Sequence, residues 1–310
     1  MQLSLVLPCY NEEEVLEETS AKLLAIFEKL IQSSKIDENS TIYFVDDGSK
    51  DKTWKIIQEL TEKNKHISGI KLSRNFGHQN ALLAALMTVE GDAVISIDAD
   101  LQDDTSMIEK MVDLYYNGHE VVYGVKKKRE SDSTFKRITA EGFYKAMRLM
   151  GVNIVYNHAD FRLLSRRALE HLKEYKEVNL FLRGLIPLLG FESTTVTYDI
   201  SERMAGESKY PLRKMLSFAW NGISSFSVTP LRFISAIGFI LFISTLILTI
   251  YSLWIALFTD EAVPGWASTV LPIYFIGGVQ MLSLGIIGEY IGKIYLEIKA
   301  RPRYIIEKNI

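Results

Sequence analysis

Asp98 and Asp100 stand one residue apart in the string Ile97-Asp98-Ala99-Asp100-Leu101-Gln102-Asp103. They follow the apolar run Ala93-Val94-Ile95-Ser96-Ile97, which reads as a buried strand. Two carboxylates this close repel unless something positive lies between them. A hard divalent cation, Mg²⁺ or Mn²⁺, suits oxygen ligands, and Mg²⁺ is commonly held by one or two carboxylates with water and substrate phosphates. The pair predicts a metal site facing a nucleotide diphosphate. The plainer reading is a polar turn that caps a helix.

Other expected strand ends also carry chemistry: Tyr10-Asn11-Glu12, Asp46-Asp47-Gly48-Ser49 and Arg74-Asn75. Tyr10 and Glu12 are expected to meet a base and a ribose, and Asp46 or Asp47 to accept a proton from a uracil or guanine N–H. Asn11 is expected to cap the first helix and Asp51 the second, because short polar side chains accept from free backbone N–H groups there. His78 follows Gly77 at a helix start with no second His or Cys at ligand spacing, so a satisfied hydrogen bond is the expected role. Cys9, the single cysteine, excludes an intrachain disulfide and reads as a small buried hydrophobe.

These residues need a scaffold that brings strand ends together. Apolar runs at Leu3–Leu7, Thr41–Val45, Gly69–Leu72, Ala93–Ile97, Val121–Gly124 and Thr194–Ile200 alternate with helical patterns near 12–32, 52–64, 79–90, 105–117 and 134–150. That alternation predicts an α/β domain with a mostly parallel sheet covered on both faces. In such sheets ligands bind beyond the carboxyl ends of the strands. The net charge of −3 gives no global signal for nucleic acid. The first strand pattern begins at residue 3, so no signal peptide is expected.

The last third differs. Two stretches without a charged residue lie between Arg232 and Asp260 and between Glu261 and Glu289. Each exceeds the roughly 20 residues that span a bilayer core, so two transmembrane helices are expected, at 232–258 and 268–288. Arg213, Lys214 and Arg232 precede the first, while Lys293, Lys299, Arg301 and Arg303 follow the second. Only Asp260 and Glu261 carry charge between them. The positive-inside rule then puts the α/β domain, residues 1–210, in the cytoplasm and the connecting loop outside. Leu212, Met215, Leu216, Ala219, Ile223 and Phe226 recur at helical spacing, which predicts an amphipathic interfacial helix over 211–229 with Trp220 as an anchor. Ile291, Ile294 and Ile298 predict a second within a cytoplasmic tail, 289–310. Such helices would suit a homo-oligomer.

The strings VLPCYNEEE, FVDDGSKDKT, LSRNFGHQNALLAAL and SIDADLQDD occur in that order. Together they resemble the inverting glycosyltransferases of family 2 with a GT-A fold, the family that includes dolichyl-phosphate mannosyltransferase. ADFRLLSR and ERMAGESKY, with the two apolar stretches, resemble its bacterial polyprenyl-phosphate branch. The resemblance covers essentially the whole chain. It implies that Pro8, Tyr10, Glu12 and Asp47 hold the nucleoside, with Asp46 and Arg74 in the same nucleotide-sugar site. It implies that Asp98 and Asp100 hold the metal, with Gln102 adjacent, and that Asp160 is the carboxylate near sugar and acceptor. Arg203 and Lys209 would close over the phosphates. Asp103-Asp104-Thr105 replaces the Asp-Pro-Pro frequent in the family, leaving Asp104 or Thr105 to cap the next helix.

The acceptor would be a polyprenyl phosphate, undecaprenyl phosphate in bacteria. Its dianion needs a basic cradle, expected from Arg129, Lys136 and Arg137, with Arg162 beside Asp160. The implied reaction moves a hexose from a UDP-sugar, glucose before N-acetylglucosamine, at the inner membrane. The alternatives are a GDP-mannose-dependent enzyme and a non-catalytic membrane-docked nucleotide-sugar binder. A processive synthase would normally carry Gln-x-x-Arg-Trp and more spans.

Overall fold

The computed structural model describes residues 1–100, 102–127, 155, 157–178, 180–199, 227–258 and 266–310. Its centre is an eight-stranded sheet. The strands are β1 (Leu3–Cys9), β2 (Thr41–Asp46), β3 (Ile67–Leu72), β4 (Ala93–Ser96), β5 (Val121–Lys126), β6 (His158–Ser165), β7 (Ser193–Tyr198) and β8 (Ile306–Asn309). Their spatial order is β7-β5-β6-β4-β1-β2-β3-β8. β1 pairs in parallel with β2 and β4, β2 with β3, and β5 with β7. β6 and β8 pair antiparallel to their neighbours.

All seven residues of β1 are buried, as a central strand covered on both faces requires. One face carries α1 (Leu16–Gln32), α2 (Thr53–Lys63) and α4 (Met107–Tyr116). Leu23 and Phe27 of α1 and Met111 of α4 share a core with Leu5, Leu7, Phe44 and Ile95. The other face carries α3 (His78–Thr88), α5 (Arg166–Leu172) and α6 (Leu182–Leu188). Ala81–Leu86 are buried there against Val6, Val45, Ile70 and Val94. β2 follows β1 on one side and β4 lies on the other, so the strand order reverses at β1/β4. A crevice opens at the carboxyl ends of such a pair, beneath Tyr10–Glu12 and Asp98–Asp100.

Several expectations change. The first helix starts at Leu16, not residue 12, and Asn11 does not cap it. Asn11 sits at φ 55°, and its side chain accepts from Lys50 N at 2.9 Å, tying the β1 and β2 loops together. Asp51 accepts from Thr53 N at 3.0 Å and Asp104 from Ser106 N at 2.9 Å, each beside the start of its helix. β6, α5, α6 and β8 were not expected. The 134–150 helix and the 211–226 part of the interfacial helix lie outside the described residues.

Two long helices follow, α7 (Thr229–Phe258) and α8 (Trp266–Lys299). Two membrane spans were expected. Among the described residues one stretch, Phe275–Lys299, is long and apolar enough to cross a membrane, with mean hydropathy 1.3; Thr229–Leu241 is a shorter apolar stretch. α8 runs unbroken to Lys299, so Ile291, Ile294 and Ile298 continue that helix instead of forming a separate one. Its end is bolted to the domain. Val178 N donates to both Glu297 carboxylate oxygens at 2.9 and 2.8 Å, and Arg303 donates to Tyr175 O at 3.0 Å. The chain then adds β8 to the open edge of β3.

Candidate functional site

The loop after β1 and the loop after β2 are laced by backbone-to-side-chain bonds. Asn11 N donates to Ser49 Oγ at 3.0 Å and Glu12 N to Thr53 Oγ1 at 2.9 Å. Gly48 has φ 69°, and a Cβ there would stand 2.4 Å from the carbonyl carbon of Arg74, so only glycine lets the third loop close in. Between these loops lies a pocket of about 190 Å³ whose lining includes Pro8, Tyr10, Glu12, Asp47, Asn75 and His78. Four sequence-predicted nucleoside contacts therefore share one cavity. Tyr10 is exposed, which leaves its ring face available for stacking.

The two aspartates of the second loop have diverged. Asp46 is fully buried, and its Oδ1 accepts from Ser49 N at 3.1 Å. Its Oδ2 is buried without a hydrogen-bond partner among the described residues, and Asp46 is not among the residues lining the pocket. Asp47 accepts from Phe76 N at 2.7 Å and Gly77 N at 2.9 Å. Burial pushes both carboxyls upward, against these donors. Arg74 is exposed and stacks on the Phe76 ring at 3.9 Å.

The acidic turn is held from three sides. Ala99 is buried and its carbonyl accepts from Thr19 Oγ1 at 2.9 Å. Asp100 Oδ1 accepts from Gln102 N at 3.2 Å. Asp103 is anchored by Tyr198 and Lys126. With Ala99 pinned inward, Asp98 and Asp100 are left half-buried at the cleft. Loss of water and then the neighbouring carboxylates of Asp160, Asp103 and Asp100 push the Asp98 carboxyl up to about 6, although His78 opposes them. Such crowded negative charge is what a divalent cation relieves. Among the described residues no three His, Cys, Asp or Glu side chains gather as a metal cage. The aspartate pair fits an ion that takes its remaining ligands from diphosphate and water.

Across the cleft, β6 presents Asp160. Its two oxygens receive five donors. Oδ1 accepts from Arg162 Nη2 at 2.7 Å and Arg183 Nε at 3.3 Å. Oδ2 accepts from Arg183 Nη2 at 3.3 Å and Gln79 Nε2 at 3.4 Å, and lies 3.2 Å from His78 Nε2. Burial alone would raise this carboxyl, but His78 and the two guanidinium groups outweigh it and hold it well below the usual range. Asp160 is thus a fixed negative charge with its lone pairs engaged. A carboxylate held ionised in this way is a weak base.

Arg162 was expected at the acceptor phosphate. It is completely buried, and its Nη2 is spent on Asp160. Its Nε and Nη1 are buried without a hydrogen-bond partner among the described residues, so the contact the structure gives it is the one to Asp160. Arg203, Lys209, Arg129, Lys136 and Arg137 lie outside the described residues. The reasoning from sequence missed Gln79 and Arg183, and it left the partner of His78 unnamed. Arg183 had one signal, as the lone charge in the apolar run Phe181–Leu189.

The glycosyl transferase family 2 model matches residues 4–173, which contain β1 to β6 and the pocket, acidic turn and Asp160. The chain belongs to glycosyltransferase family 2. It is a family 2 enzyme of GT-A architecture, and the α/β sheet is that fold. The enzyme is 52% identical to the "uncharacterized glycosyltransferase YkoT" of Bacillus subtilis over 310 residues, 99% of this chain and 92% of the relative. It is 39% identical to the "bactoprenol glucosyl transferase" of Shigella phage SfX over the full length of both chains. A glucosyl-3-phosphoglycerate synthase from Mycobacterium tuberculosis, solved with Mn²⁺ and UDP, is a distant structural likeness at 19% identity, TM-score 0.48, covering 72% of this chain and 76% of that one.

Proposed function

We propose that this glycosyltransferase moves a hexose, glucose as the first choice, from a UDP-sugar to a polyprenyl phosphate, with inversion at the sugar carbon. The observation that carries the reading is the end-to-end likeness to bactoprenol glucosyl transferases, helices α7 and α8 included. The site geometry supports it. A nucleoside pocket, an aspartate pair and an ionised carboxylate face one cleft at the β1/β4 reversal.

Pro8, Tyr10, Glu12 and Asp47 would seat the uridine. Asp98 and Asp100 would hold Mg²⁺ or Mn²⁺, which when bound stabilises the charge that develops on the departing β-phosphate oxygen. A phosphate monoester has its second pKa near 6, by analogy with phosphorylated side chains, so the acceptor arrives already nucleophilic. No strong base is needed, which suits Asp160. Its fixed negative charge can orient the reactants and favour the positive charge that builds on the sugar ring. Arg183, partly exposed beside it, offsets the repulsion between that carboxylate and an incoming phosphate. Arg203 and Lys209 are proposed over the diphosphate, and Arg129, Lys136 and Arg137 at the acceptor.

The membrane reading rests on α7 and α8. Phe239, Ile247 and Trp254 of α7 are 65%, 61% and 62% exposed, and Phe275, Met281 and Leu284 of α8 are 61%, 71% and 61% exposed. Apolar surface on that scale marks a membrane or protein contact. At 1.5 Å per residue both helices outreach a hydrocarbon core of about 30 Å. We place both across the inner membrane, with the α/β domain and the β8 tail in the cytoplasm.

The test offers purified protein a panel of UDP- and GDP-sugars with undecaprenyl phosphate and Mg²⁺. Glycolipid formed with UDP-glucose is expected. No glycolipid from any donor would overturn the reading.

A further inference from the structure

We infer that His78 and Gln79 are positioning residues that hold Asp160 in register with the nucleoside pocket; this rests on the reading of Asp160 as the carboxylate at the sugar and acceptor. The path is short. Asp47 lines the pocket and fixes the next loop through Phe76 N and Gly77 N. Gly77, at φ 90°, turns the chain into α3. The first two residues of α3 then reach Asp160 Oδ2, His78 at 3.2 Å and Gln79 at 3.4 Å.

Arg162 already supplies compensating charge from inside the sheet, at Oδ1. Held by that guanidinium alone, the carboxylate could pivot about the bond to its Cβ. The donors on Oδ2 remove that freedom. Gln79 also sets a second donor, because its Oε1 accepts from Leu182 N at 3.2 Å. Leu182 precedes Arg183, which contacts both oxygens of Asp160. One amide therefore aligns the starts of α3 and α6 on the same carboxylate. His78 also lies 3.7 Å from Asp98 Oδ1, so it stands between the aspartate pair and Asp160 and keeps the two acidic groups apart. A nucleoside seated against Asp47 would thereby bear on a loop whose next two residues hold the group that meets its sugar.

The test uses full-length enzyme in nanodiscs, with His78→Leu, His78→Gln and Gln79→Leu. A glutamine amide reaches about as far as the imidazole Nε2 and donates; leucine does not. Misplacing a reacting group by about 1 Å costs on the order of 10²-fold. His78→Leu should lower kcat roughly 10- to 100-fold on that scale; for Gln79→Leu, whose side chain does not line the pocket, the KM for UDP-glucose and the Kd for UDP, read by calorimetry, should each stay within about twofold. His78→Gln should recover most of kcat, and Gln79→Leu should lower kcat in the same direction. An unchanged circular-dichroism spectrum certifies that each variant is folded. Three results overturn the inference: wild-type kcat in His78→Leu; a raised KM with kcat unchanged, which makes His78 a ligand contact; or His78→Gln as impaired as His78→Leu. A wild-type enzyme that binds no UDP and makes no glycolipid is a separate pattern. It overturns the donor reading and this inference with it.

Discussion

The Tyr198 hydroxyl donates to Asp103 Oδ1 at 2.6 Å, joining the last residue of β7 to the acidic turn. Both residues are buried, and Lys126 Nζ meets the same oxygen at 3.1 Å. Asp103 is thus the acid of its turn that faces inward, and it serves as the turn's foot. Tyr198→Phe removes one donor from a buried carboxylate, a loss of about 1–3 kcal/mol. The variant should unfold at lower temperature. It should also bind Mn²⁺ more weakly in the presence of UDP, because Asp98 and Asp100 lose a support.

Asp100→Ala deletes half of the aspartate pair without touching the core. Turnover should fall at least about 10²- to 10³-fold, the scale seen when one stabilising group is removed from a transition state. The protein should remain folded and membrane-bound, checked by circular dichroism and membrane fractionation. Full activity would remove the acidic turn from the mechanism.

The β8 strand closes the β3 edge and follows α8 by only a few residues. Gly69 N donates to Ile310 O at 3.0 Å and Ile310 N to Gly69 O at 2.9 Å. Truncation after Arg303 leaves that edge unpaired, a state prone to association with other chains. The truncated enzyme should melt several degrees lower, taking roughly 2–4 °C per kcal/mol for a domain of this size. It should also elute with a larger aggregate fraction in size-exclusion chromatography.

His158 supplies a pH dependence. Burial, and then the Arg162 charge, lower its pKa from 6.5 to about 4. The folded state thus resists protonation that the unfolded chain accepts. Stability from the neutral ring is present above pH 6.5 and is lost as pH falls toward 4. At about 1.4 kcal/mol per unit, the loss approaches roughly 3 kcal/mol. Melting temperatures between pH 7 and 4.5 should fall more steeply for the wild type than for His158→Phe, which keeps a ring against Tyr123.

Much of the pocket and the acidic turn was legible in the chain because their motifs are local. The residues of Leu7–Glu12, Val45–Ser49 and Ile97–Asp103 each span one strand end and one turn, so continuous apolar runs and turn chemistry place them without any long-range information. Even there, the choice between Asp46 and Asp47 was open. Only the pairing of β2 between β1 and β3 shows that Asp46 points into the protein and Asp47 towards the pocket.

The surroundings of Asp160 were legible only in part. Asp160 followed from the family resemblance, but its surroundings come from segments about 80 and 20 residues away in the chain. Arg162 looked like a phosphate ligand because a charged residue is normally solvated; β6 lies inside the sheet between β4 and β5, and burial there leaves it a carboxylate as partner. β8 has a single partly buried apolar residue among Glu307, Lys308 and Asn309, since an edge strand gains its stability from backbone pairing that side-chain patterning does not record. The sequence by itself determined the α/β class, the strand-end loops, the aspartate pair and the apolar C-terminal region, all of which follow from local composition and periodicity. The tertiary structure alone decided that His78, Gln79, Arg162 and Arg183 converge on Asp160, and that the chain's end returns to the sheet. Those contacts depend on strand order and helix placement, which no local pattern encodes.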